Sequence, residues 1–259
     1  MVRMLRCLAT EELLRKKRVA RRIGMLVLIY LGSVAVLPAA EPGVHFMHHG
    51  AMPPGAIGME QLQRGGPLPG YFQPVEIKAP PGALISLATS GDFGAAQKVP
   101  LRVGFLIGQV YRLRVMNIPL ALGMEVFPTI EVIDRIYPPP GEQRRFAIPI
   151  ELTDEDLKLA LGGKFVTRVI YLEDPNQALP TREDPQAQNW FEVGQGQDPL
   201  EMADALGRPV AILRLGARLP DDVRGPGPQF LFGCPPFETF EPPAAATPAR
   251  AAFPEEPQP

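Results

Sequence analysis

Val110 to Val115 reads VYRLRV, and its strict alternation decides the fold class. Tyr111, Leu113 and Val115 fall on one face of a strand and Arg112 and Arg114 on the other, as a period of two requires. Phe146 to Leu152, FAIPIEL, repeats the pattern and predicts Phe146, Ile148, Ile150 and Leu152 inward. PTIEVIDRIY (128–137), KFVTRVIYL (164–172) and PVAILRL (209–215) are rich in β-branched and aromatic residues, the composition of half-buried strands. PVEI near Val75, LISLA near Leu84 and LRVGFLI near Val103 add three shorter candidates.

Two helices interrupt this series. Thr153 caps a first turn of Asp154, Glu155 and Asp156, and Gly162-Gly163 ends that helix. Asp198-Pro199 with Glu201 opens the second, which Gly207 and Pro209 close. Neither is long enough to form a layer. A parallel βαβ sheet would need crossovers of about ten residues or more between most strands, and only two are present. The expectation is an all-β, antiparallel β-sandwich, Ig-like or similar, with two short helical connections, flanked by disordered Pro/Gly-rich segments.

The flanks carry much of the 32 Pro and 25 Gly and so bound the folded part, predicted over residues 71–218. Residues 41–70 show neither helical nor strand period and read as a disordered linker. Residues 219–259 read as a Pro-rich, largely disordered tail, although QFLFGCPPFETF has enough aromatics to fold back on the domain.

Residues 1–40 have the pattern of a secretory leader. Arg15, Lys16, Lys17, Arg18, Arg21 and Arg22 precede the apolar run Ile23 to Leu37, and small residues with a Pro break follow, with a cleavage zone near Ala39 or Ala40. The rival reading is a retained N-terminal signal anchor, because the run is only slightly short of the ~20 residues that span a bilayer. Arg21-Arg22 also admits a twin-arginine reading, against which Gly24 breaks the expected apolar continuation. Either form puts the body outside the cytoplasm: periplasmic, on the cell surface or secreted. The remainder of the chain is acidic, which argues against nucleic acid as a partner. Envelope proteins or cell-surface polymers are the expected partners, with membrane contact only through the N-terminal segment. Cys7 lies in the leader and Cys234 is the one other cysteine, so no intramolecular disulfide survives processing; Cys234 is expected as an apolar contact, with intermolecular pairing as the alternative.

All three histidines, His45, His48 and His49, lie in the linker, so a Ser-His or Cys-His nucleophilic site cannot be built within the predicted domain. Phosphate-loop, dinucleotide, HExxH and EF-hand motifs are missing. No catalytic or cofactor-binding residue is expected, and a hydrolase using paired carboxylates is the third reading. Two metal readings stand beside bland ones. His45, Met47, His48 and His49 have imidazole and thioether donors suited to copper or nickel, against an unstructured linker with adventitious affinity. Glu173, Asp174, Asn176, Glu183 and Asp184 offer oxygens to calcium, against two solvated Asp-Pro turns. Trp190 and Phe191 are either partner anchors or core. Arg112, Arg114, Arg168 and Arg214 form either a basic stripe or, as expected here, cross-strand ion pairs with acids such as Glu131 and Asp134 on a solvated face.

The runs VYRLRVMNIPLALGMEVFPTIEVIDRIYPP, IPIELTDEDLKLALGGKFVTRVIYLEDPNQALP and DPLEMADALGRPVAILRLGAR, within residues 104–218, resemble a family of uncharacterised exported bacterial proteins of the planctomycete type. The resemblance implies export, a β-rich domain and an envelope setting, and brings no activity or catalytic residue with it. The chain is therefore expected to be an exported, non-enzymatic structural or binding protein of the cell envelope, the alternative being a periplasmic copper- or nickel-handling protein.

Overall fold

A computed structural model describes residues 2–9, 52–119, 121–176, 188, 190–194, 196–221 and 224–240. The chain is an all-β sandwich of two largely antiparallel sheets, as the alternating segments predict. The larger sheet contains β1 (Val2–Ala9), β3 (Leu84–Thr89), β4 (Asp92–Phe93), β5 (Gln97–Lys98), β7 (Val110–Met116), β8 (Thr129–Val132), β10 (Phe165–Glu173), β11 (Trp190–Glu192) and β12 (Gly207–Leu215). Its order is β11-β1-β10-β12-β8-β7-β3-β4, with β5 also paired to β3. The smaller sheet runs β13-β6-β2-β9, from β2 (Phe72–Lys78), β6 (Leu101–Leu106), β9 (Ile148–Glu151) and β13 (Phe237–Thr239). Among the described residues, only β1 with β11 and β2 with β9 pair in parallel.

The core fills the space between the sheets. Val75, Ile77, Val103, Phe105, Ile148 and Ile150 of the smaller sheet meet Leu113, Val115, Ile130, Val132, Ile170 and Leu213 of the larger, all buried in one cluster. Tyr111 rivets the two layers: its ring stacks on Phe105 at 3.8 Å, and its hydroxyl accepts from Leu106 N at 2.9 Å and donates to Pro236 O at 2.7 Å. Phe146, predicted inward, is instead half exposed, because the strand begins only at Ile148, after a 3-10 turn over Gln143–Arg145.

Both predicted helices form where their caps place them. In α2 (Asp154–Leu161) Thr153 and Asp156 complete a reciprocal capping box. In α3 (Pro199–Leu206) the Asp198 side chain accepts from Leu200 N at 2.8 Å. A third helix, α1 (Ala56–Gln63), lies in the stretch expected as linker. Pro53-Pro54-Gly55 before it and Gly65-Gly66 after it hide its short run of helix formers. It is held by tertiary contacts: Ile57 is buried against Ile133 and Ile212, and the Gly58 amide donates to Glu131 Oε1 at 2.9 Å. A strand carboxylate thus caps a helix N-terminus whose own sequence has no cap.

The start of the expected tail does fold back. Phe230 and Leu231 pack with Ala88 and Phe127 on the outer face of the larger sheet, Cys234 joins that cluster, and β13 closes the smaller sheet against β6. At the other end, Val2–Ala9 pairs with β10 over its whole length, from Val2↔Leu172 to Ala9↔Phe165. These residues belong to the basic start of the expected leader; its apolar run, and the cleavage zone, lie outside the described residues.

The expected solvated arginine face is corrected. Arg112, Arg168 and Arg214 are buried, because helices and the fold-back loop cover the sheet where alternation alone implied water. Arg214 pairs with Glu131 at 2.8 Å on the outer face, under α1, and Arg168 pairs with Asp156 at 2.6 Å on the inner face, tying β10 to the cap of α2. Arg112 donates to Phe127 O and Phe230 O and lies over the rings of Phe230 and Phe232. Removing one member of such a buried pair strands the other charge at a cost of about 3–5 kcal/mol.

Candidate functional site

Beyond Val132 the chain peels away from β8 while Ile133 N and Asp134 N still bond Val210 O. That departure leaves a cleft of about 190 Å³ between α1 and α3. Ile57, Ile133 and Leu200 form its apolar floor, and Gln61, Glu201 and Asp204 stand at its polar rim beside Arg208. A second groove, about 440 Å³, begins on the other side of Arg208, between the end of β10 and the α3–β12 turn. Gly207 makes that turn possible: a side chain there would run into the Leu172 carbonyl.

Arg208 is the hinge of the two concavities. Its Nη1 pairs with Asp134 Oδ2 and donates to Arg135 O at 3.0 Å, which fixes the guanidinium although it remains substantially exposed. Its cationic face lies 5.2 Å from the centroid of the Tyr137 ring, which is 60% exposed. Asp134, Glu173, Asp174, Glu201 and Asp204 line the two clefts with it. The surface offers acceptors, one fixed donor fork and an aromatic face. Such a set recognises hydroxyl-rich ligands: carboxylates accept from hydroxyls, guanidinium donates to their oxygens, and a ring stacks on the C–H faces between them.

Of the predicted calcium set, Glu173 ends β10 and Asp174 Oδ1 accepts from Asn176 N at 2.9 Å and Asn176 Nδ2 at 3.1 Å, the geometry of an Asx turn. Glu183 and Asp184 lie outside the described residues, as do His45, Met47, His48 and His49. Among the described residues no group of three or more His, Cys, Asp or Glu is arranged to hold a metal ion. Trp190 lies on β11, partly exposed, with Arg168 5.2 Å from its ring centroid. Asp134, Glu201, Asp204 and Arg208 were not recognisable as a site, because one wall of the cleft is α1. The usable signal was the eight residues 56–63, free of Pro and bracketed by Pro-Pro-Gly and Gly-Gly.

No protein-family model, curated protein or solved structure matches the chain.

Proposed function

We propose that this chain is a non-enzymatic binding protein of the cell envelope and that its ligand is a cell-surface polymer, a glycan, laid across the two clefts that meet at Arg208. The carrying observation is Arg208 itself, fixed by Asp134 and the Arg135 carbonyl while its face and the Tyr137 ring stay open to solvent. A pre-fixed donor keeps the ordering cost of binding low. Export is supported by the basic and apolar pattern of residues 1–40 and by the resemblance to exported bacterial proteins. It carries a condition: an exported domain parts from Val2–Ala9, which is either cleaved off or held on the far side of the membrane. The test is cosedimentation of the full chain with insoluble cell-wall polysaccharide. Arg208→Ala and Glu201→Gln should each weaken retention by roughly tenfold, the loss of about 1.4 kcal/mol, with melting temperature unchanged. Equal retention by Arg208→Ala removes the reading, and steady release of reducing ends makes the protein a hydrolase instead.

A further inference from the structure

A separate groove of about 190 Å³ lies beyond Tyr137, lined by Tyr71, Arg135, Tyr137, Pro138, Pro140 and Gln143. It is a built surface. Buried Gln73 holds its back wall by accepting from Ile136 N at 2.8 Å, and the Arg135 guanidinium sits 5.4 Å from the Tyr71 ring centroid and 4.2 Å from that of Tyr137. Flat aromatic faces set beside proline rings form the ridges and slots that receive a polyproline II helix, whose ordering cost is already low.

We propose that this groove is a polyproline II docking site and that its occupant is the chain's own segment 241–259. Pro242, Pro243, Pro248, Pro254, Pro257 and Pro259 supply the ligand. The segment starts beside the groove: the Phe240 ring lies 5.5 Å from the guanidinium of Arg144, the residue after Gln143. At about 3.1 Å per residue it reaches roughly 60 Å, far more than the groove needs. Glu241, Glu255 and Glu256 complement Arg135 and Arg144. A tether this short gives an effective concentration on the order of millimolar, which favours the same chain over a second copy. This docking shares the Tyr137 ring with the proposed glycan site, and the peptide titration below reads it without any glycan present.

The probe is a synthetic peptide of residues 241–259, titrated into the wild-type full chain and into a full chain with those six prolines replaced by alanine. The proline-free chain should bind the peptide at least roughly tenfold more tightly than wild type, whose groove is already filled. Tyr137→Ala in the proline-free background should abolish binding with little change in melting temperature, since that ring is 60% exposed. Failure of the proline-free chain to bind, or binding that survives Tyr137→Ala, overturns the proposal. Equal binding by wild type makes the occupant a second copy and overturns docking within one chain. An unrelated proline-rich peptide that binds the vacated groove while 241–259 does not makes the occupant a partner, with the same consequence.

Discussion

Tyr111 and Arg112 are adjacent, face opposite sides of β7, and have their ionisation moved in opposite directions by the same cause. Burial pushes the Tyr111 hydroxyl up to about 12, partly offset by the bond from the Leu106 amide, and burial lowers Arg112 to about 10, helped by the charge of Arg218. For Tyr111 the folded state holds its proton more tightly than the unfolded chain, so its contribution is complete below pH 10 and is lost as pH rises to about 12. For Arg112 the unfolded chain binds more protons above about pH 10, so stability rises with pH there. The two effects oppose each other in the same alkaline range. Tyr111→Phe should therefore cost about 1–3 kcal/mol at neutral pH through its two lost hydrogen bonds. Its stability should then gain on wild type by on the order of 1–2 kcal/mol as pH climbs from 10 to 12, after allowing for solvent screening. Urea midpoints at neutral and alkaline pH measure both; parallel pH curves for the two proteins contradict the assignment.

Among the elements, α1 depends most on one position. A Cβ on Gly58 would stand 2.7 Å from the Gly108 Cα, so Gly58→Ala must lift the helix and loosen the amide from Glu131. The expected loss is about 1–3 kcal/mol, whereas Met59→Ala, on the same helix at a half-exposed position, should stay within about 0.5 kcal/mol. Equal urea midpoints for the two variants would show that α1 is not clamped there. The dependence explains what the sequence could and could not disclose. Thr153 with Asp156 and Asp198 with Pro199 act over three residues or fewer, so α2 and α3 were legible. The cap of α1 comes from Glu131, 73 residues away, and local pattern does not carry it. The same distance effect hid the arginines: alternation placed Arg112 and Arg214 on the face opposite the core, correctly, but α1 and Phe230 to Phe232 cover that face. The cleft between α1 and α3 beside Arg208 inherits this blindness, since one of its walls is α1.

On the scale of the whole molecule, the strand order puts β1 between β10 and β11, so the basic start of the chain completes the larger sheet. Without it, β10 presents a long edge whose Val166, Val169, Ile170 and Tyr171 are buried on both faces, a template for pairing with another strand. Leu5→Pro, which removes a β1 amide from the ladder, should raise amide hydrogen exchange in Val166–Tyr171 by at least roughly tenfold while β2 and β6 stay protected. Unchanged exchange along β10 would mean that the strand is held without β1. The placement also sets a clock. Val2–Ala9 leaves the ribosome well before its partners, which are residues 165–172 and 190–192. At about 5–20 residues per second they emerge roughly 8–40 s later. Throughout that interval Val2–Ala9 has no strand to join, and under the proposed export it stays available to the secretion machinery, so slowing engagement or speeding elongation would decide which fate it meets.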